Sequence, residues 1–480
     1  MPRRLIARFS AFVLIVGFVS SCAVNPVTGR KQLSLISEQG EIEMGKETDA
    51  QIAQEYGFYD DKELTAYVTR IGMAMAPLTH RPKLEYHFAV LDTPVVNAFA
   101  APGGYIYVTR GILAMMNSES ELATVIGHEL GHVSARHSVV KLSQMILAQV
   151  GLIAGSLLSE EFAKYAGAAS LGMQLLFLKF SRDDEREADK LGVDYARAGR
   201  FNSVEMINFF TTLQRYGDLS GGHNSLPGFL STHPLTSERI TNVKQMVGEL
   251  DLALPTNRSA YLRQIDGIIY GDDPRQGFVE GGSFHHPGLG FSFNFPQGWE
   301  VQNAPSQVTM AGDEGNAAVI FGAETSSEDI AAYGRNKIAK IEGRQDVAEQ
   351  TSTINGMSTF HQTCTVVQQD QDPIRARFAF IRKGQLIYTF TAMSKAADFN
   401  RYDPSFRNVI GSFRSLTDPK LLNRQPRHLS VVRADGRRSY REYFEQSGAP
   451  KDAWASLAVM NGSDKAEAVP PSGAEVKIVR

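Results

Sequence analysis

The alternation of apolar and polar residues predicts a mostly helical first half of the chain that contains two short strands. Apolar and polar side chains alternate with the two-residue period of a strand in Tyr86–Leu91 and in Tyr105–Val108. A long helix is predicted to begin near Ser118, where Glu121 three residues later is the second partner of a capping box. We expect this helix to continue past His137.

Two apolar stretches follow, Leu142–Leu158 and Tyr165–Leu178, and Glu160-Glu161 separates them. Their composition predicts a helical hairpin, although the second stretch is too short to span a bilayer. Two interpretations stay open. The hairpin is either a pair of buried core helices or a segment that covers a functional site or dips into a membrane surface.

The second half of the chain combines strand and helix patterns, which predicts an α+β sandwich. The predicted elements are a strand at Phe291–Phe295, a helix at Ile330–Ile341 and a hairpin of Arg375–Ile381 with Gln385–Ala392. Asp403-Pro404 is predicted to cap a further short helix. A linker rich in Gly and Asp, residues 271–283, precedes this part of the chain.

The C-terminal residues 427–480 predict a strand, two helices and a strand. These elements are Leu429–Val432, Tyr440–Gln446, Trp454–Met460 and Val476–Val479. The order resembles a LysM module, most closely at Leu457-Ala458-Val459-Met460-Asn461. Asp435-Gly436-Arg437-Arg438 stands where such modules have a Gly-Asp-Thr turn, so attachment to peptidoglycan and a role without glycan both stay open.

The composition is that of a folded protein with several globular units. The chain has 480 residues, of which 43% are hydrophobic and 21% are charged. Its formal net charge of −3 argues against a general nucleic-acid binder, because binding to phosphates requires a basic surface. We therefore expect no nucleic acid among its partners.

The first 21 residues have the pattern of an export signal. Three arginines precede the apolar run Ala11–Val19, which is too short for a membrane-spanning helix. The ending Val19-Ser20-Ser21-Cys22 resembles a bacterial lipobox, which implies a lipid on Cys22; an ordinary signal cut near a cysteine is the alternative. Because Ala23 and not Asp follows, we expect a periplasmic protein anchored to the outer membrane. Cys364 is the only other cysteine, so no intramolecular disulfide is expected.

The motif His128-Glu129-x-x-His132 lies within a helical pattern. Residues four apart on a helix lie about 40° apart around its axis, so both imidazoles can bind one metal ion. Zinc suits such ligands, because it accepts neutral imidazole and carboxylate and activates a water for hydrolysis. Glu129 can then accept the proton of that water. The same motif also occurs in unrelated helices whose histidines only form hydrogen bonds with neighbours.

A second helix with an acidic start is predicted at Ser181–Asp189. Glu185 and Asp189 share one face of it, so one carboxylate can bind the metal while the other orients a ligand histidine. On local sequence alone, a solvated helix with acidic residues at its N-terminus is the simpler explanation.

Five motifs are spread over about Asn25–Leu250. They are Asn97-Ala98-Phe99-x-x-Pro102-Gly103-Gly104, His128-Glu129-x-x-His132, Glu185-x-x-x-Asp189, Ser231-Thr232-His233-Pro234 and Arg239. Together they resemble the zinc metallopeptidase family of the CAAX prenyl proteases, HtpX and the periplasmic protease BepA. The resemblance implies one Zn²⁺ per chain with Glu185 as its third ligand, and it implies that Asp189 and Arg239 support the site.

The same resemblance places His233 next to the metal, just before a helix predicted from Pro234 to Leu250. In relatives the matching histidine either occupies the fourth zinc position and holds the enzyme inactive or contacts the reacting substrate. Both catalytic roles stay open here. On a continuous helix His137 points about 140° away from His132, so we expect it to be structural. Tyr105–Val108 is either an edge strand that pairs with an extended peptide or an ordinary internal strand.

These patterns, together with the two resemblances, predict an α+β protein with a defined order of parts. The parts are a signal peptide at 1–21, a mainly helical zincin-like metalloprotease domain with a small sheet at 22–270, a linker at 271–283, an α+β sandwich at 284–417 and a LysM-like βααβ module at 427–480.

The resemblance implies a zinc-dependent endopeptidase at the outer membrane, with misfolded or stalled proteins and peptides of the cell envelope as substrates. BepA-like relatives carry tetratricopeptide repeats, but this chain has no 34-residue period, so recruitment of the assembly machinery is not implied. The alternative function is a non-proteolytic chaperone or peptidoglycan-associated scaffold that retains the protease fold.

Overall fold

The computed structural model describes residues 22–153, 179–219, 228–312, 315–368 and 372–480. The chain divides into two compact units, one from Met1–Gly271 with Arg427–Arg480 and the other from Asp272–Pro426. The predicted signal peptide, residues 1–21, and the second apolar stretch, Tyr165–Leu178, lie outside the described residues. The predicted α+β class is confirmed, because helices and several sheets occur together. No described helix has the length and apolar composition needed to cross a bilayer.

Helices are the main elements of the described part of the first unit. In chain order, the described helices of both units are α1 (Glu38–Glu55), α2 (Lys62–Met75), α3 (Arg110–Met115), α4 (Glu119–Ala135), α5 (His137–Ile153), α6 (Arg182–Ala198), α7 (Glu205–Leu219), α8 (Phe229–Thr232), α9 (Ser237–Met246), α10 (Glu249–Leu252), α11 (Arg258–Ile265), α12 (Ile330–Ala339), α13 (Phe399–Gly411), α14 (Pro419–Leu422), α15 (Tyr440–Gln446) and α16 (Trp454–Met460).

The longest strands belong to the second unit. They are β1 (Cys22–Val24), β2 (Lys31–Leu33), β3 (His87–Leu91), β4 (Ala98–Ala101), β5 (Tyr105–Thr109), β6 (Ile269–Tyr270), β7 (Phe278–Glu280), β8 (Ser283–His286), β9 (Phe291–Asn294), β10 (Glu300–Ala304), β11 (Gln307–Gly312), β12 (Ala317–Thr325), β13 (Arg344–Ile354), β14 (Met357–Val366), β15 (Ile374–Lys383), β16 (Leu386–Lys395), β17 (Arg414–Ser415), β18 (Arg427–Arg433) and β19 (Glu475–Val479).

Helix α4 begins where the sequence predicts but ends earlier. The Ser118 hydroxyl accepts a hydrogen bond from the Glu121 backbone, whereas the Glu121 carboxylate accepts one from the Asn117 backbone at 2.7 Å. The helix stops because Arg136 adopts a left-handed conformation with φ 59°, and α5 then begins at His137. The prediction that one helix continues past His137 is therefore wrong.

The small sheet of the first unit has the order β3-β5-β4, with β3 parallel and β4 antiparallel to β5. Both predicted strands are present. The hypothesis that Tyr105–Val108 is an edge strand is wrong, because β5 has a neighbour on each side and all five of its residues are buried. The strand beside α4 at the sheet edge is β4, whose Ala-rich sequence shows no strand pattern.

The C-terminal elements β18, α15, α16 and β19 occur in the predicted order, but they belong to the first unit and not to a separate module. Their apolar side chains, such as Leu457 and Val476, share one core with Tyr261 of α11. The Nζ atom of the buried Lys477 donates hydrogen bonds to the carbonyl oxygens of Ala114 and Met116, both at 2.7 Å, at the C-terminal end of α3.

The second unit packs a four-stranded sheet, β17-β9-β8-β7, against a seven-stranded antiparallel sheet, β10-β11-β12-β16-β15-β14-β13. Phenylalanines from both sheets and from α13 fill the core between them. This unit is wider than predicted, because residues 272–426 belong to it and β7 lies within the predicted linker. Pro404 lies inside α13, so the prediction that Asp403-Pro404 begins a helix is wrong.

Candidate metal centre

Helices α4 and α6 approach each other closely because small residues line their contact. A Cβ atom on Gly127 would lie 2.9 Å from the carbonyl oxygen of Gly192, and one on Gly131 would lie 3.1 Å from that of Ala188. Neither position has room for a larger side chain without movement of a helix. This contact brings Glu185, near the start of α6, to the histidines of α4.

Four buried side chains converge between α4, α6 and the segment after α8. One ligand atom from each of His128, His132, Glu185 and His233 lies within 4.8 Å of the other three. The two Nε2 atoms of His128 and His132 are 3.1 Å apart, and they lie 3.7 and 3.6 Å from the Glu185 carboxylate oxygens. His233 Nδ1 lies 3.4 Å from His128 Nε2 and 2.8 Å from Glu185 Oε1.

These separations fit a tetrahedral zinc ion. Zinc–ligand bonds of about 2.0–2.1 Å place tetrahedral donor atoms about 3.3 Å apart, and the measured separations, 2.8 to 3.7 Å, lie around that value. Two imidazoles and one carboxylate are also a donor set that zinc accepts. The residues present therefore fit a bound zinc ion.

A buried cation supports the carboxylates of the site. Arg239 contacts Asp189 through two nitrogens at 2.8 and 2.7 Å and Glu185 Oε2 through a third at 2.7 Å. Asp189 Oδ1 in turn lies 3.0 Å from His128 Nδ1. This contact orients the His128 ring so that its Nε2 atom faces the cluster.

The protonation states of His132 and Glu185 suit metal binding. Burial lowers the pKa of His132 well below its ordinary value, which keeps the imidazole neutral. Burial also opposes ionisation of Glu185, but the charges of His233 and Arg239 hold the pKa of its carboxyl well below its ordinary value. A neutral imidazole and an ionised carboxylate are the forms that bind zinc.

Glu129 lies beside the cluster and beside the sheet edge. Burial raises the pKa of its carboxyl, and a hydrogen bond from the Ala100 backbone in β4 opposes that shift. Its Oε1 atom has no hydrogen-bond partner within the described part of the chain, and His233 Nε2 is 3.7 Å away. A buried carboxylate oxygen without a partner is suited to accept a proton from a water or from a substrate.

Comparison with known proteins identifies the family. The model of peptidase family M48 matches residues 62–247, which include every residue of the cluster. Mitochondrial metalloendopeptidase OMA1 of Schizosaccharomyces pombe is 31% identical over 242 residues, which cover 48% of this chain and 68% of that protein. The chain belongs to peptidase family M48. Peptidases of family M48 depend on a metal ion, and the cluster is the group of residues that could bind it.

Other M48 relatives are similar over smaller shares of their length. The beta-barrel assembly-enhancing protease of Escherichia coli is 27% identical over 255 residues, 51% of this chain and 52% of that protein. Mitochondrial metalloendopeptidase OMA1 of Arabidopsis thaliana is 32% identical over 193 residues, 40% of this chain and 38% of that protein. The chain thus spans about half the length of the bacterial relative.

Two contacts of the M48 site were not predicted from the sequence. His137 Nδ1 lies 2.9 Å from His132 Nδ1, because the left-handed Arg136 turns the chain back toward α4. The expectation that His137 points away from His132 is therefore wrong. Phe180 packs its ring on that of His132, with centroids 4.1 Å apart. Neither contact has a local sequence signal, since each depends on a chain reversal or on a different segment.

Proposed function

We propose that this M48 peptidase is a zinc-dependent endopeptidase of the bacterial cell envelope that hydrolyses misfolded or stalled outer-membrane and periplasmic proteins. The convergence of His128, His132 and Glu185 on one buried point, next to Glu129, carries the chemical part of the proposal. The name of the bacterial relative, beta-barrel assembly-enhancing protease, supports the substrate class.

Each residue of the site has its own role in the proposed reaction. His128, His132 and Glu185 would hold the zinc ion, which polarises a scissile carbonyl and acidifies water when bound. Glu129 accepts the proton of the attacking water and passes it to the leaving amine. Asp189 and Arg239 act on the ligands, because they orient His128 and hold Glu185.

Strand β4 offers a place for an extended substrate. It pairs with β5 and with no other strand in the described ranges, so its second edge has backbone groups for a peptide strand. The hydrogen bond between the Ala100 backbone and Glu129 places that edge next to the proposed base. A peptide on β4 therefore passes the catalytic groups.

His233 regulates the site in this proposal. Its Nδ1 atom completes a set of four protein donors, whereas a catalytic zinc site keeps one position open for water or substrate. We therefore expect His233→Ala to increase cleavage of casein or of the chain itself, with zinc still bound. A loss of cleavage in a zinc-loaded variant would instead assign His233 to the reacting substrate.

Glu129→Gln tests the enzyme function. We expect at least about 10²-fold slower peptide cleavage, because the general base is lost, with unchanged zinc content by metal analysis. The control Glu43→Gln changes an exposed residue of α1 and is expected to leave cleavage unchanged. Chelation should abolish cleavage and added Zn²⁺ should restore it. Full activity of Glu129→Gln would contradict the proposal and favour a non-catalytic role.

The proposal also includes the localisation of the protein. A lipid on Cys22 would attach the chain to the outer membrane, and the lipobox-like Val19-Ser20-Ser21-Cys22 supports this. Cys22→Ser should then move the protein from the membrane fraction to the soluble periplasm. We do not extend the proposal to peptidoglycan, because residues 427–480 contribute their apolar side chains to the core of the metal-binding unit.

A further inference from the structure

Both ring nitrogens of His132 have a partner. Its Nε2 atom faces the cluster, 3.6 Å from Glu185 Oε1, and its Nδ1 atom lies 2.9 Å from His137 Nδ1. The second ring nitrogen of His137, Nε2, lies 3.2 Å from Glu187 Oε2. The three side chains therefore form a line from the metal centre to the surface, where the Glu187 side chain is 25% exposed.

We propose that His137 is a positioning residue that sets the tautomer and the ring orientation of the metal ligand His132, with Glu187 as its anchor. This inference rests on the proposed zinc site. When Nε2 of His132 binds a metal, its proton is on Nδ1, which donates to His137 Nδ1. His137 must then carry its own proton on Nε2, which donates to Glu187.

The local fold explains how His137 reaches this position. On a continuous helix, residues five apart point about 140° away from each other. The left-handed Arg136 ends α4 and lets His137 start α5 with its ring against His132. Arg136 is held there, since its Nε atom donates to Glu41 at 2.9 Å. His137 itself is buried, as expected for a ring that must not rotate.

The Nδ1 atoms of the two proposed zinc-binding histidines of α4 therefore have different partners. His128 contacts a buried carboxylate directly, and Arg239 neutralises that carboxylate. Arg239 already pairs with both Asp189 and Glu185, so a further buried carboxylate at Nδ1 of His132 would need a second buried cation. The ring of His137 avoids this need, because it lets an acceptor carboxylate at the surface serve instead. Glu187 is the acceptor, because the alternative, Asp184, lies farther from His137, at 3.7 Å. Asp184 also already accepts a hydrogen bond from the Ser181 backbone N–H.

Zinc affinity of His137 variants tests the inference. His137→Phe keeps a ring but cannot accept the Nδ1 proton of His132, so we expect the zinc dissociation constant to rise by about 10- to 100-fold. His137→Gln restores an acceptor oxygen and should recover most of the affinity. The measurements are competition with a chromophoric chelator and the visible spectrum of the Co²⁺-loaded protein, whose bands should shift in His137→Phe and return in His137→Gln.

A second pair of variants keeps the test valid if His137→Phe does not fold. Glu187→Ala removes the anchor, whereas its control Asp183→Ala removes a more exposed carboxylate of the same helix that pairs with Arg186. We expect weaker zinc binding in the first and wild-type binding in the second.

The outcomes separate this inference from the proposed function. Zinc dissociation constants within twofold of wild type in both His137→Phe and Glu187→Ala would overturn the positioning role alone. Stoichiometric zinc without peptide cleavage in both the wild-type protein and His233→Ala would overturn the proposed enzyme alone. A His137→Gln protein that binds zinc as weakly as His137→Phe would also contradict the inference, because any loss would then reflect packing and not the acceptor.

Discussion

At the scale of single residues, buried ion pairs hold the first unit together around the metal centre. The Arg239 guanidinium pairs with two carboxylates, those of Asp189 and Glu185. Its Cζ atom also lies over the Phe210 ring, 4.8 Å from the ring centroid. Loss of either partner leaves a buried charge unpaired, which costs about 3–5 kcal/mol. The residues of the site therefore contribute to the stability of the fold as well as to the chemistry.

Asp251 provides a test of pH dependence at this scale. It accepts hydrogen bonds from Arg197 at 2.8 and 2.9 Å and from Ser203 at 2.7 Å, and the bonds from Arg197 contribute most to lowering its pKa to about 2. The ionised carboxylate therefore stabilises the fold above its unfolded pKa of about 3.9. This contribution is lost as the pH falls from about 4 to about 2.

We expect Asp251→Asn to be less stable than wild type at pH 7 and the difference to narrow between about pH 4 and pH 2. Urea unfolding over a series of pH values measures this difference. A free-energy gap that stays constant across the window would contradict the assigned role of Asp251.

At the scale of elements, the close contact of α4 and α6 decides whether Glu185 reaches the histidines. We expect Gly127→Ala to reduce stability by about 1–3 kcal/mol and to weaken zinc binding, because a Cβ would lie 2.9 Å from the Gly192 carbonyl oxygen. Gly411→Ala in α13 is the control, since nothing lies within 4 Å of its added Cβ. Similar effects of both substitutions on zinc affinity would show that the helix contact is not what positions Glu185.

The loop between α3 and α4 depends on Lys477 of β19. Lys477→Met should lower the free energy of unfolding by about 1–3 kcal/mol or more, because the Ala114 and Met116 carbonyls lose their donor inside the core. Lys465→Met changes an exposed lysine in the same C-terminal region and should have little effect. Equal unfolding curves for wild type and Lys477→Met would contradict this account.

At the scale of the whole molecule, the second unit is an insertion between two paired strands. Tyr270 of β6 pairs with Arg427 of β18, so the chain leaves and re-enters the first unit at neighbouring positions. Such an arrangement allows each unit to keep its own core. The first unit needs residues from both ends of the described chain to complete its core.

Excision of the second unit tests this organisation. We expect a chain in which Asn-Gly replaces Asp272–Pro426 to fold and to bind zinc stoichiometrically, because this dipeptide favours a tight turn between antiparallel strands. Circular dichroism and metal analysis measure both properties. A chain that is unfolded or metal-free after excision would show that the first unit depends on the second.

Features that depend on neighbours in sequence could be predicted. The spacing of His128 and His132 places them on one helix face, and Ser118 and Ser181 mark helix starts through hydrogen bonds to residues three positions later. The strand and helix order of residues 427–480 follows from its apolar periods in the same way. In each case the interactions that select the conformation lie within a few residues.

Features that depend on distant contacts could not be predicted from local patterns. The meeting of Glu185 with the histidines requires the packing of two helices about fifty residues apart, and the family resemblance, not the spacing, indicated it. The contact of His137 with His132 depends on one left-handed residue held by Glu41. The edge position of β4 and the shared core of residues 427–480 likewise depend on which segments pack together. Long-range packing energy, and not local propensity, selects among these arrangements.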